Sequence, residues 1–452
     1  LYIGPAGENK VRTAVVMAKW THAAGYGGYG AVMGAKRLKA VVVKGYGPMP
    51  PPKDPGKAVE LLKTSWEILT GDRTAFSFWG TAAGAYSCAY KRSAEPVRNW
   101  QEEWHDARQL GPQTFECYWI KRYWGDYGCP TTCMKISVIR RGEFRGAVTD
   151  APDYEMQAYL GPNLGVFDPE GCIYLSYLAD ELGLCGINTG NVLGFAAELY
   201  ERGILTREEL GVDLRWGDAR AFAILMEKIA RREGIGDLLA EGTTRAAIEL
   251  SKKKGVDLSR YVVQVKGAGV GAHGVRSGAD YTQPISYACS TQGGDHTSPA
   301  LLPPTGALGE LAATFHDSAV ICSFNVPWGR EELPFEFLRA VTGWDLDIER
   351  WTREHGRRIL TIQRVALLIG GPDLYWDPRV HDDNPPRFYE PLPTGPFAGK
   401  RVDRVQFAKE KREYYERLGW DEHGLPTRET LRELGLEFLG EAVELVRRRL
   451  GL

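Results

Sequence analysis

Cys129 and Cys133, four apart in GDYGCPTTCMK, form the local thiol pair of this chain, and Asp126 three residues earlier makes the run Asp-x-x-Cys-x-x-x-Cys. Two thiolates cannot close a four-ligand site. A cube of iron and sulfide takes four anionic donors, some from a compact loop and one from afar. Cys322, in HDSAVICSF, is the remote candidate. Zinc is disfavoured, because neither a second Cys-x-x-Cys nor a nearby histidine completes a tetrahedron. Cys88, Cys117, Cys172, Cys185 and Cys289 sit apart in apolar or mixed surroundings, where a cysteine is usually a small buried hydrophobe.

Other residues have types and contexts suited to moving protons or holding anions. His296 follows two glycines and an acid in STQGGDHTSP, a loop that presents an imidazole rather than packing it. Glu155 in APDYEMQAYLGPNLG opens a short helix, where the dipole favours a carboxylate. Either alone is more often structural than catalytic. The loop Ala23–Gly34, AAGYGGYGAVMG, concentrates glycine where backbone amides could approach an anionic ligand. It lacks both the preceding strand of a dinucleotide fingerprint and the Gly-Lys-Ser/Thr ending of a P-loop. A phosphate- or pterin-type ligand and a tight packing turn remain equally open on composition.

The elements that must position these groups read as mostly helical. Apolar residues recur at helical spacing over Gly56–Thr70, Tyr154–Leu160, Cys172–Leu182, Asn191–Arg202, Ala219–Arg232, Leu238–Lys253 and Asp347–Leu368, and two amphipathic helices close the chain. A helix over Lys10–His22, a short helix after the glycine loop and a strand over Lys39–Lys44 are expected in the first block. SVIRRGEFRGAVTD reads as a hairpin with Gly142 in its turn. Five prolines between Pro48 and Pro55 form an extended linker, and five glycines between Tyr261 and Gly278 mark a second break. The expected domains are therefore 1–46, 47–260 and 261–452.

With 452 residues, 43% of them hydrophobic, the chain can bury large cores, and a net charge of −2 provides no global field for nucleic acid. No apolar run approaches a membrane span. Eight cysteines at uneven spacing do not make a disulfide framework, so a reducing cytoplasm is expected.

Taken in order, IGPAGENKVR, AAGYGGYGAVMGAKRLKAVVVKG, GCPTTC, APDYEMQAYLGPNLG, ADELGLCGINTGN, LLAEGTTRAA, STQGGDHTSP, DSAVIC and GWDEHGLPTRETLRELGL resemble the tungsten-containing aldehyde ferredoxin oxidoreductase family over nearly the whole chain. The resemblance implies an α+β, mostly helical fold: the end of a β-rich pterin-binding base domain followed by two mainly helical domains. It implies tungsten, or molybdenum in its place, held by two pterins, a 4Fe-4S cluster, and magnesium bridging the pterin phosphates. Carried over residue by residue, Cys129, Cys133 and Cys322 match cluster ligands, and Asp126 stands where the family has the first cluster cysteine. His22, Ala23, Gly25 and Tyr26 fall on one pterin loop, and Asp180, Leu184 and Cys185 on a second pterin motif. Gln292, Gly293, Asp317 and Ile321 fall on further pterin contacts. Glu155 and His296 match the pair beside the metal.

The implied reaction is oxidation of a small aldehyde to its acid, with electrons passed to ferredoxin or an iron-sulfur subunit. An oligomer is expected, together with a further stretch of base domain ahead of Ile3, as an additional segment or a partner chain. Departures from the family pattern are Asp126 for cysteine, Cys185 for aspartate, and His22, Tyr26 and Gln292 for arginines, whose bidentate forks neutral side chains cannot replace. Thr297–His316 also contains no lysine to match the family's lysine contact. The catalytic subunit of a benzoyl-coenzyme A reductase-like enzyme is a second reading, and a cofactor-free assembly subunit a third.

Overall fold

The computed structural model describes every residue except 72, 73, 151, 304–308, 327, 328, 372 and 373. The chain begins with a small antiparallel sheet in the order Tyr2–Ile3, Val16–Ala18, His22–Ala24. This corrects the expectation of a helix over Lys10–His22. Val15 and Val16 are β-branched and suit a pleated surface, and remote partners fix the choice: Tyr2 pairs with Met17, and Ala14 bridges Leu184. The expected strand over Lys39–Lys44 is likewise not formed beyond a single bridge from Ala40 to Tyr2. Val42 and Val43 are 91% and 86% exposed, because that segment has no second strand to pair with among the described residues.

Helices dominate the rest, and several carry the signals that start and stop them. Helix Pro169–Leu182 has Pro169 at its first position, Asp168 capping the amides of Glu170 and Gly171, and Gly183 ending it at φ +71°. Helix Gly186–Glu201 is buried nearly all round, its polar Asn188, Thr189, Asn191 and Glu198 included, and lies in the larger core. Helix Ala219–Arg231 buries Phe222, Leu225, Met226 and Ile229 on one stripe, with Asp218 as its cap. The expected helix over Leu238–Lys253 breaks into Ile235–Leu239 and Thr243–Lys254, because Gly242 at φ +83° reverses the chain between them.

A second antiparallel sheet, Trp119–Trp124, Met134–Val138 and Val148–Asp150, contains the expected hairpin and adds one strand to it. The connection from Trp124 to Met134, which are paired across the sheet, carries Cys129 and Cys133. Two large cores account for most of the packing. One runs from Ala6 to Tyr261, and the other joins Val15 and Cys88 with Tyr159, Ala272, Phe388 and Trp420. Helix Pro55–Gly71 packs on Leu333–Thr342 through Leu61, Leu333 and Ala340, so elements far apart in sequence lie side by side. Buried Glu198, in the central helix, pairs with Arg387 at 2.8 Å and accepts from Asn99, tying the two halves of the chain together.

Candidate active site

Glu155 sits in the first turn of helix Tyr154–Leu160. The amide of Ala272 donates to both of its carboxylate oxygens, at 3.1 and 2.9 Å. Nε2 of His296 and Nε2 of His273 each stand 3.5 Å from Glu155 Oε1. The ligand atoms of all three lie within 4.8 Å of one another, and the two imidazoles stack with centroids 5.5 Å apart. Glu155 and His296, distant in sequence, are thus brought together as expected from the resemblance. His273 is an addition. It lies in the glycine-rich stretch VVQVKGAGVGAHGVRSG, and the loop reasoning applied to His296 would have found it.

Close backbone approach makes this meeting possible. A Cβ on Gly271 would fall 2.3 Å from Cβ of His296, so only glycine lets the loop that carries Ala272 and His273 pass beside the His296 loop. Gly293, at φ +67°, turns the chain two residues before Asp295 with its own Cβ position 2.3 Å from the Val265 carbonyl. Behind His273, Nδ1 is 2.9 Å from Asp280 Oδ2 and 3.6 Å from Cys88 Sγ, and Arg92 holds the other Asp280 oxygen at 2.8 Å. Burial opposes charge on His273, but Tyr281, Cys88 and the hydrogen bond to Asp280 outweigh it and raise its pKa well above the ordinary imidazole value.

Tyr26 connects this site to a cavity of about 1040 Å³: its hydroxyl lies 3.4 Å from His296 Nδ1, and it lines the cavity with Gly25, Gln292 and Asp317. Arg12, Arg245 and Lys266 bring positive charge to the same walls. Gly25 has nothing within 4 Å of its Cβ position, leaving its backbone open to a close-lying ligand. Cys185 caps helix Gly186–Glu201 and its amide donates to the Thr13 carbonyl, while Leu184 bridges Ala14. The Asp180–Cys185 motif therefore packs against Thr13–Val15, which leads into the strand paired with His22–Ala24.

Asp180 is reached by Thr149 Oγ1 at 2.7 Å. Burial first, moderated by that bond and reinforced by Asp153 and Glu181, raises its pKa to about 7. His22 stands 3.7 Å from Asp150 in the same acidic pocket. Ala23 is exposed beside it. Gly293 is buried with its Cβ direction blocked by backbone, whereas Asp317 faces the cavity and Ile321 is half-buried one residue before Cys322. A roomy cavity with an open glycine backbone, cationic walls and enclosed carboxylates fits a large anionic cofactor with polar ring edges.

The thiols converge as well. Asn325, three residues after Cys322, donates through Nδ2 to Cys129 Sγ at 3.4 Å, so the remote loop lies on the Cys129–Cys133 loop. Burial, then Asp153, Cys322, Asp150 and Cys129 as near neighbours, push the Cys133 thiol up to about 12. Bound metal would have to displace that proton, as metal binding to thiolates does. Asp126 is oriented differently: its carbonyl accepts from the Cys129 amide, while its carboxylate, 59% exposed, pairs with Lys19.

Family models of the aldehyde ferredoxin oxidoreductase match residues 1–45, as the N-terminal domain, and 67–436, as domains 2 and 3. The chain belongs to the aldehyde ferredoxin oxidoreductase family. It is 57% identical to the aliphatic sulfonate oxidoreductase, WOR-like subunit, of Pyrococcus furiosus over 100% of this chain and 72% of that one. It is 33% identical to the tungsten-containing aldehyde ferredoxin oxidoreductase of Pyrococcus horikoshii, over 96% of this chain and 73% of that one. The fold resembles the active site complex BamBC of benzoyl coenzyme A reductase in complex with 1,5-dienoyl-CoA, with a TM-score of 0.73 at 20% identity, covering 100% of this chain and 75% of that one. Family membership implies an oxidoreductase with a tungsten or molybdenum pterin cofactor, in the mostly helical α+β fold described above. Among the described residues, no helix is long and apolar enough to cross a membrane.

Proposed function

We propose that this chain oxidises a small aldehyde to its carboxylic acid, with water supplying the oxygen and protons and electrons leaving separately. The observation that carries this reading is Glu155, fixed by the Ala272 amide with His296 at 3.5 Å, opening through Tyr26 to a cofactor-sized cavity. Glu155 is the base that takes a proton from water, and His296 donates to the substrate oxygen. Tyr26 orients the His296 ring through Nδ1. The bound tungsten or molybdenum pterin supplies the two-electron chemistry, and the protein supplies orientation, proton handling and the electron exit. Gly25, Tyr26, Asp180, Cys185, Gln292 and Asp317 would hold the pterins. Cys129, Cys133 and Cys322 would hold an iron-sulfur cluster, which would supply the single-electron exit toward a ferredoxin-like partner.

A second reading is an aliphatic sulfonate substrate. It is favoured by the Pyrococcus furiosus relative, which is much more similar to this chain than the 33% identical aldehyde enzyme is. Purified enzyme offered aliphatic aldehydes and aliphatic sulfonates, with reduction of a viologen dye as readout, separates the two. Glu155→Gln should lower turnover of the accepted substrate by about 100- to 10,000-fold with metal content unchanged, the usual weight of a positioned acid or base. A variant with full turnover overturns the assignment of Glu155, and reduction with neither class overturns the reading.

A further inference from the structure

Each turnover loads protons onto Glu155, and a base that cannot unload stops after one cycle. The Ala272 amide occupies both carboxylate oxygens from one side, and Glu155 is only 16% exposed. Besides His296, assigned above to the substrate oxygen, His273 stands against it, with a side chain 15% exposed and two ring nitrogens that point at two different carboxylates. Nε2 faces Glu155 at 3.5 Å, and Nδ1 faces Asp280 at 2.9 Å. The Asp280 side chain is fully enclosed, but its other oxygen is bound at 2.8 Å by Arg92, whose side chain is 44% exposed. The row Glu155, His273, Asp280, Arg92 thus leads from the site toward solvent.

We propose that His273 is the proton relay of this enzyme, carrying protons from Glu155 to Asp280 and so to water at the Arg92 end. The inference rests on the oxidation proposed above, which is the source of the protons. In each cycle Nδ1 gives its proton to Asp280 Oδ2, and Asp280 releases it to water beside Arg92. A flip of the ring then presents the emptied nitrogen to Glu155, which fills it from its own carboxylic acid. One proton enters and one leaves, and no electrons move. His273 is well placed to begin doubly protonated, because its pKa is raised by its surroundings. The groups around it are Cys88 at 3.6 Å, Tyr281 and Tyr154 with ring centroids at 4.9 and 5.3 Å, and the stacked His296. A buried histidine held only for packing would not need a carboxylate on each nitrogen.

The test uses the holoenzyme and two readouts. In His273→Gln, kcat should fall about 100-fold, the low end for a positioned proton-transfer group, with KM within about twofold and with added free imidazole restoring much of the rate. A pH-indicator dye should show protons appearing with substrate-driven reduction in the wild type but lagging behind it in the variant. Unchanged kcat, or a loss that imidazole does not rescue with protons still released in step, overturns the relay. Should the variant fail to fold, nitrogen-15 spectra of histidine-labelled wild-type enzyme decide: both His273 ring nitrogens protonated near neutral pH supports the bridge, and a bare nitrogen facing Asp280 overturns it. If the wild type reduces dye with neither aldehyde nor sulfonate, the functional reading fails, while the nitrogen spectra still judge the bridge.

Discussion

Replacing Gly271 by alanine puts a methyl group where the structure has no room for one. The added Cβ would lie 2.3 Å from Cβ and 2.7 Å from Cγ of His296, whereas ordinary contacts begin at 3.4 Å. Relief requires the His296 loop and the Gly271 loop to part by about 1 Å. Both loops bear on Glu155, one through His296 and the other through the Ala272 amide, so the shift opens the site whichever loop yields. A misplacement of this size costs about 100-fold in rate when it separates catalytic groups, while overpacking costs about 1–3 kcal/mol in stability. Gly271→Ala should therefore lose about two orders of magnitude in turnover while still folding and still carrying metal. The assay pairs dye-reduction rate with metal analysis and a thermal melt. Gly440→Ala, where nothing lies within 4 Å, is the control and should be close to wild type in both. Wild-type turnover in Gly271→Ala would refute the claim that the two loops are held in contact to set the catalytic geometry.

Asp382 is a stability counterpart, because it holds buried Arg364 at 2.5 Å and Lys266 at 3.0 Å and also accepts from Tyr415. Asp382→Asn should cost about 3–5 kcal/mol in denaturant unfolding, since it leaves buried cations uncompensated. Although burial opposes its charge, Arg364 and Lys266 hold the Asp382 carboxyl well below the usual carboxylate range. Its stabilisation is therefore present above about pH 4 and is lost as pH falls through the folded value, so acid unfolding should move to higher pH in the variant. Asp180 has the opposite sign: with its pKa raised to about 7, its contribution is present below the ordinary carboxylate value of about 4 and is lost as pH rises through about 7. Thermal melts of Asp180→Asn should show a flatter decline across that window, and an unchanged slope would reject the raised value.

Where local chemistry decides, the sequence was readable. Helix Tyr154–Leu160 is found where its spacing places it, with Asp153 just ahead, and Asn191–Arg202 differs from the observed helix mainly in its start. Where a remote partner decides, it was not. Val15 and Val16 fit a helical stripe as well as a strand, and pairing of Val16–Ala18 with Tyr2–Ile3 and His22–Ala24 selects the strand. Lys39–Lys44 has the run of β-branched residues a strand favours, yet its ladder bonds stop at Val41, which pairs with Leu1, and Val42 and Val43 are left exposed. The site follows the same division. Cys129, Cys133, Glu155 and His296 stand out by type and loop context, and family resemblance supplied their convergence. His273 lies in a glycine-rich stretch that looks like a domain break in the sequence, although glycine is what lets that loop approach His296. The orientation of Asp126 toward Lys19 depends on the turn between Ala18 and His22, where the sequence pattern favours a helix.

The central claim is that Cys129, Cys133 and Cys322 hold an iron-sulfur cluster next to a tungsten or molybdenum pterin beside Glu155 and His296. Anomalous diffraction from crystals of the holoenzyme, collected at the iron and tungsten edges, tests it most directly. The account predicts iron density among the three cysteine sulfurs and a separate tungsten peak, or a molybdenum peak at its own edge, facing the Glu155 carboxylate. Iron bound elsewhere, or a heavy-metal peak remote from Glu155 and His296, would contradict it.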